Sequence, residues 1–284
     1  MGMAKVAFEK VVVPLDGSKL AEVALPYAEE LAGKMGSEII LLSVLPLGEQ
    51  EYQKHQTYAS KIVEATRWHA GKYLDKAAGQ GIRVGTVTRL GDAADGILDY
   101  AGNGGALKLL VMATHGRSGL SRWAVGSVAD KVIRSTTRQP MMLIRARGAH
   151  PDVRARRIFK RALVPLDGSM RSEAVVPHIA EMAASLHLEI TLLQVISKNN
   201  HTYAEVETYL QKWCGWLSDR DIPADYEIRV GTAAEVIINV ADELAMDLVA
   251  MSTHGQNTFN IWPLGSVAQK VLLGGNTPLL LVRA

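Results

Sequence analysis

The chain says the same thing twice. Val13-Pro14-Leu15-Asp16-Gly17-Ser18 returns as Val164-Pro165-Leu166-Asp167-Gly168-Ser169, and Thr114-His115-Gly116 returns as Thr253-His254-Gly255. Gly126-Ser127-Val128-Ala129 returns as Gly265-Ser266-Val267-Ala268. The recurring segments are loop-type residues rather than apolar stripes. Two halves that agree on glycines, an aspartate and a Gly-Ser at fixed spacing share a kind of ligand site and not only a core.

The offsets between copies locate the boundary. Asp16 and Asp167 lie 151 positions apart, as do Val44 and Val195; Gly91 and Gly231 lie 140 apart; His115 and His254 lie 139 apart. The first copy therefore carries about eleven extra residues between Val44 and Gly91, and the polar stretch 47–57 is the expected place, since added loop length costs little there. The expected domains are 1–147 and 158–284, joined by a basic linker at 148–157. At 284 residues the chain is long enough for two such domains.

Each half reads as alternating strands and helices. A β-branched run at 11–15 ends at Asp16-Gly17, and Ser18 is suited to cap a helix. Leu20, Ala24, Ala28, Leu31 and Met35 recur at helical spacing, and Gly36 ends that helix. Further strands are expected at 38–45, 83–89, 109–113 and 141–144, with helices at 58–78, 93–101 and 127–136. The strands are near-continuously apolar, which predicts a parallel sheet covered on both faces. The expected architecture is α/β, with two tandem doubly wound domains, each a five-stranded parallel sheet with helices on both sides.

Composition narrows the function. A net charge of +2 argues against nucleic acid as a partner, and the basic cluster Arg145, Arg147, Arg154, Arg156 and Arg157 reads as a solvated linker, with no aromatic interleaving. No apolar run reaches membrane-spanning length. A single Cys214 excludes an internal disulfide and reads as a small buried hydrophobe. The expectation is a soluble cytoplasmic protein.

In an open parallel sheet, ligands sit beyond the carboxyl ends of the strands, at the point where strand order reverses. The loops carrying Asp16 and Thr114-His115-Gly116 leave the first and fourth strands, so they are expected to face each other over one crevice; Asp167 and Thr253-His254-Gly255 repeat the arrangement. Nine residues separate Gly116 from Gly126-Ser127, and nine separate Gly255 from Gly265-Ser266. A helix start offers unpaired N–H groups, glycine lets a ligand approach, and the serine hydroxyl adds a donor; together these suit a phosphate. The aspartate fits a ribose hydroxyl, an adenine amino group or a bridging Mg²⁺. A plain turn aspartate and a plain helix cap are the simpler readings of Asp16 and Ser127.

A small residue, two residues, Gly, nine residues and Gly-Ser, together with Val-Pro-x-Asp-x-Ser near the start of each half, resemble the universal stress protein family. The resemblance covers essentially the whole chain as a tandem member. It implies an adenine-nucleotide-binding α/β fold of the alpha hydrolase-like type and ATP with Mg²⁺ as ligand. Carried over, the nucleotide site is Pro14, Asp16, Val44, Ala113, His115, Gly116, Arg117, Gly126 and Ser127 in the first half. In the second half it is Pro165, Asp167, Val195, Ser252, His254, Gly255, Gly265 and Ser266. Asp16 and Asp167 would reach a metal through Mg-ATP. The family's first motif glycine is Ala113 in one half and Ser252 in the other, and each adds a Cβ near the ligand path.

The halves differ around the site. Arg117 is matched by the neutral Gln256, Gly119 by Thr258, and Pro263 stiffens only the second loop. These differences predict tighter binding in the first half. His115 and His254 read as locally bonded loop residues, because no nucleophile or acid repeats beside them. Trp123 and Trp262 read as packing residues, and Trp68, Trp213 and Trp216 as core. No P-loop, dinucleotide fingerprint, metalloprotease motif or zinc-type cysteine pair is present. The resemblance implies a nucleotide-dependent stress-response regulator rather than a dedicated enzyme. Its domains would pair with each other through their last strands, with a homodimer and an unidentified protein as further partners. A slow ATPase or nucleotidyl-transfer enzyme, and a scaffold that binds no nucleotide, remain alternatives.

Overall fold

The structure, a computed structural model, describes residues 8–46, 49–70, 82–103, 107–115, 125–136, 139–145, 157–196, 203–255 and 264–284. The chain divides into two compact units, Ala7–Ile158 and one built on Phe159–Ala284.

In the first unit the strands are β1 (Lys10–Pro14), β2 (Glu38–Leu45), β3 (Val84–Leu90), β4 (Lys108–Ala113) and β5 (Met141–Ile144). They lie in the order β3-β2-β1-β4-β5. The pairings of β1 with β2 and β4, of β2 with β3 and of β4 with β5 are all parallel. β4 is buried along its whole length, as expected of a strand covered by helices on both faces. The second unit repeats the plan with β6 (Arg161–Pro165), β7 (Glu189–Ile196), β8 (Ala224–Val230), β9 (Leu248–Ser252) and β10 (Leu279–Val282), in the order β8-β7-β6-β9-β10. Strand order therefore reverses between β1 and β4 in one unit and between β6 and β9 in the other.

The helices of the first unit are α1 (Lys19–Glu22), α2 (Leu25–Met35), α3 (Glu49–Ala70), α4 (Ala93–Gly102) and α5 (Ser127–Ser135). Those of the second are α6 (Met170–Glu173), α7 (Val176–Leu186), α8 (Tyr203–Ser218), α9 (Ala233–Glu243) and α10 (Ser266–Gly274). The single helix expected after Ser18 is two helices. Pro26 stands within the first turn of α2 and has no N–H to bond a carbonyl one turn back, so the chain turns at Val23–Ala24 and starts again. Pro177 does the same at α7. Gly36 ends α2 with φ 71°, a left-handed cap.

The stretch 47–57 is not the inserted loop. From Glu49 onward it is the first part of α3; Glu, Gln and Lys dominate it, without Gly or Pro, and these are good helix formers. The tertiary contacts also move the insertion. The Tyr58 hydroxyl donates to Glu22 at 3.2 Å, and the Tyr209 hydroxyl donates to Glu173 at 3.0 Å. Both members of that pair keep the offset of 151, so the extra residues of the first half fall between Tyr58 and Ile82, C-terminal to the matched tyrosine. Trp68 is not core either: it is 67% exposed. Trp213 and Trp216 are half-buried and meet edge to face at 5.5 Å, with the Arg220 guanidinium 3.7 Å above the Trp216 ring. Cys214 is half-buried, and burial pushes its thiol up, which keeps it protonated and unreactive. Trp123 and Trp262 lie outside the described residues.

Candidate functional site

Each unit holds a cavity beyond the carboxyl ends of its strands, at its own reversal of strand order. The first has a volume of about 200 Å³ and the second about 290 Å³. One wall comes from the loop after β1. Asp16 accepts from the Ser18 N–H at 2.9 Å and the Ser18 hydroxyl at 2.6 Å, while Ser18 accepts the Ala21 N–H at 3.2 Å and caps α1. Asp167 and Ser169 repeat the turn at 3.0 and 2.6 Å, and Ser169 accepts the Ser172 N–H at 3.1 Å. The turn uses one carboxylate oxygen of each aspartate, and both aspartates line the cavities. The turn reading of Asp16 thus holds, and the same residue lines the cavity where the site reading would need it.

The opposite wall is the end of β4 and the start of α5. The Thr114 N–H donates to Ile144 O and the Gly126 N–H donates to Thr114 O, both at 2.8 Å; Thr253 and Gly265 repeat this with Val282 O and Thr253 O, again at 2.8 Å. These bonds hold the helix start against the strand end. The first intrahelical bond is Asp130 N–H to Gly126 O, and Gln269 N–H to Gly265 O in the second unit. The N–H groups of residues 127–129 and 266–268 therefore have no acceptor within their own helices. Ser127 and Ser266 are exposed at that mouth.

Glycine is required at two of these positions. A Cβ on Gly265 would stand 2.8 Å from Thr253 O, and a Cβ on Gly255 would run into the Asp167 carboxylate. The aspartate loop and the Thr-His-Gly loop are thus in contact within the second unit, as the expected crevice requires.

The floor is apolar. Val44 and Val195 line it, joined by Leu42, Ile97 and Met112 in the first cavity and their counterparts Leu193, Ile237 and Met251 in the second. Leu42, Ile97, Met112 and their counterparts were not singled out in the sequence, although the spacing was legible: Leu42 shares a strand face with Val44, and Ile97 lies one helical turn from Ala93, which also lines the cavity. Gly96 lets α4 sit close to this floor, since a Cβ there would stand 2.8 Å from Val44 Cγ2.

Pro14, Asp16, Val44, Ala113, His115, Gly126 and Ser127 come together around the first cavity. Pro165, Asp167, Val195, Ser252, His254, Gly255, Gly265 and Ser266 come together around the second. Gly116 and Arg117 lie outside the described residues, as do Gly119, Gln256, Thr258 and Pro263. His115 and His254 each place Nδ1 3.0 Å from the hydroxyl of the preceding threonine, a local bond as expected. His115 Nε2 is buried without a hydrogen-bond partner among the described residues. No cluster of three or more His, Cys, Asp or Glu side chains able to hold a metal occurs among the described residues.

An apolar slot, a carboxylate at one side and a helix N-terminus at the other fit a ligand with a flat apolar part, hydroxyls and an anionic tail. The residues fit ATP in that sense. The donor set does not form a metal cage, so Mg²⁺ would be held chiefly by the phosphates, with Asp16 or Asp167 as the protein carboxylate within reach of the cavity.

Fold and cavities define an α/β protein of the open, doubly wound kind. The sequence model of the Universal stress protein family matches residues 7–145 and 217–283, and the chain belongs to that family. It is 30% identical over 132 residues to universal stress protein MJ0531 of Methanocaldococcus jannaschii, covering 45% of this chain and 77% of that one. It is 22% identical to universal stress protein Slr1230 of Synechocystis, covering 97% of this chain and all of the relative. Among solved structures, a universal stress protein of Archaeoglobus fulgidus superposes with a TM-score of 0.70 at 18% identity over 97% of this chain and 98% of that one. That likeness shows the fold. No helix among the described residues is long and apolar enough to cross a membrane.

Proposed function

We propose that this chain is an ATP-binding universal stress protein, a nucleotide-dependent regulator of a stress response that works in the cytoplasm. The observation that carries the reading is the repeated cavity. Each copy sets an apolar slot and an aspartate opposite a helix N-terminus whose glycine is held at 2.8 Å to the preceding strand end. An adenine would lie on the Val44 or Val195 floor, the ribose beside Asp16 or Asp167, and the phosphates at the start of α5 or α10.

The candidate sites are those drawn from the sequence, with Gly116 and Arg117 completing the first. The domains span 1–147 and 158–284, with 148–157 as the linker. Nucleotide occupancy would act on the nine-residue loops 117–125 and 256–264, most of which lie outside the described residues, and so change a surface read by a protein partner. The carboxylate of each cavity is engaged by the Ser18 or Ser169 hydroxyl and the imidazole by the preceding threonine, which favours a binding role over hydrolysis.

Hydrogen exchange on the nucleotide-stripped chain, with and without Mg-ATP, tests the sensor reading. Slowed exchange in both nine-residue loops is expected. Unchanged loop exchange at saturating ATP would refute it.

A further inference from the structure

The two cavities are close to duplicates, and the places where they differ carry information. Fourteen of the sixteen residues lining the first cavity are matched by the same residue type in the second. The two exceptions are Ala21, replaced by Ser172, and Ala113, replaced by Ser252. Both changes add a hydroxyl to the second cavity, yet that cavity is the larger, at about 290 against about 200 Å³. The hydroxyls have not filled the space.

The two hydroxyls are in different states. Ser172 Oγ is committed to the protein: it donates to Ser169 O at 2.9 Å and accepts the Asp167 N–H at 3.2 Å, bracing the aspartate loop. Ser252 Oγ has no hydrogen-bond partner among the described residues, although Ser252 is only 4% exposed. A buried hydroxyl without a partner is costly. It sits at the end of β9, next to the Thr253 carbonyl that anchors α10, on the lining of the cavity. Alanine would fill the same place without that cost, as Ala113 does in the first domain.

A second difference points the same way. Asp130, in the first turn of α5, carries a negative charge that the Arg134 guanidinium 2.8 Å away partly offsets, at the helix start where an anionic tail would lie; its counterpart in α10 is the neutral Gln269. The histidines differ in the other sense, since His115 Nε2 and not His254 is buried without a hydrogen-bond partner among the described residues, so the order of the two sites rests on Ser252 and Gln269.

We infer that Ser252 Oγ is a ligand-binding group that hydrogen-bonds a sugar or phosphate oxygen of the nucleotide, and that the second domain is the tighter of the two nucleotide sites. The inference rests on the nucleotide reading above. It reverses the order expected from Arg117 and Gln256, and it makes Ser252 the residue that distinguishes the two halves as binding sites.

The test is calorimetric titration of the full-length, nucleotide-stripped chain with ATP, AMP and adenosine, for the natural protein and for Ser252→Ala and Ala113→Ser. Hydrogen exchange at the first turns of α5 and α10 assigns each binding event to a domain. The α10 site should fill at lower nucleotide concentration. Ser252→Ala should weaken that site by about threefold to tenfold, the worth of one hydrogen bond, and leave the α5 site unchanged. Ala113→Ser should tighten the α5 site. An effect of Ser252→Ala on adenosine as well as ATP places the bond at the ribose, and an effect confined to ATP and AMP places it at a phosphate. Without nucleotide, Ser252→Ala should melt at the same temperature as the natural protein or a few degrees higher, because a partnerless hydroxyl has been removed. Binding retained with Ser252→Ala indistinguishable from the natural protein, or α5 filling first, overturns this inference alone. A natural protein that binds none of the three ligands overturns the nucleotide reading and this inference with it.

Discussion

Gly265→Ala puts the geometry of the second site under direct strain. The glycine has φ −64° and ψ 153°, a conformation any residue adopts, so the substitution carries no backbone penalty. Its cost is steric. The new Cβ would stand 2.8 Å from Thr253 O and 3.7 Å from His254 Cα, where ordinary contact with the oxygen starts near 3.4 Å. Something must move by about 0.6 Å, the difference between those two distances. The Thr253 carbonyl is poorly placed to yield, because its own N–H is tied to Val282 O at 2.8 Å, so the start of α10 moves outward and stretches the 2.8 Å bond from Gly265 N–H to Thr253 O. Overpacking of this kind costs about 1–3 kcal/mol, and the weakened bond is part of that cost. The second domain's melting transition should fall by about 3–12 °C. Because the N–H groups of residues 266–268 shift with the helix, nucleotide affinity there should fall at least about tenfold. Differential scanning calorimetry and ATP titration read the two effects. A transition within about 1 °C of the natural protein, with unchanged affinity, would show that the helix start is not held against the strand end as described.

Three further outcomes follow from the same packing. Gly215→Ala, inside α8 with no atom within 4 Å of the new Cβ, should stabilise the protein by about 0.5–1 kcal/mol by helix propensity alone; a loss in the urea midpoint would contradict the open environment. Lys108 is buried and donates through Nζ to the carbonyls of Tyr100, at 2.6 Å, and Asn103 at the end of α4. Lys108→Met should therefore cost about 1–3 kcal/mol in denaturant melts, and a neutral result would show that those carbonyls find other partners. His178 has its protonation pushed to lower pH by burial. Its folded form thus binds its proton less readily than the unfolded chain, and stability should be flat above about pH 6.5 and decline as pH falls below it. His178→Gln should shallow that decline, and an identical pH profile would rule the group out as its source.

The sequence was most legible where the chain repeats. Matched loops can only coincide in function if matched strands deliver them to one place, so Asp16, Thr114 and Gly126 were findable as neighbours before any coordinates. The alternation of strands and helices was equally open, because apolar runs such as 38–45 and 109–113 are too continuous for any but a sheet buried on both faces. What escaped reading had local causes. The 3.6-residue period runs unbroken from Leu20 to Met35, so the break at Pro26 was hidden beneath a continuous apolar stripe. Residues 49–57 are polar on all sides and carry no periodicity, so their place in α3 depends on helix propensity and contacts. The insertion could be located only through the Tyr58–Glu22 and Tyr209–Glu173 bonds, which join elements 36 residues apart. Trp68 was assigned to the core from residue type, and a long helix has room for an exposed tryptophan. The hydroxyl of Ser252 read in sequence as an intruding Cβ; only its burial without a partner gives it a role.

The most direct test of the account is a calorimetric titration of the purified, nucleotide-stripped chain with Mg-ATP. Saturable binding that fills the cavities of both domains, with a stabilisation of about 2.7 kcal/mol at a hundredfold excess over Kd, is the predicted result. No binding heat at several temperatures, together with no thermal shift at millimolar ATP, would contradict it and leave the cavities without the nucleotide they are argued to hold.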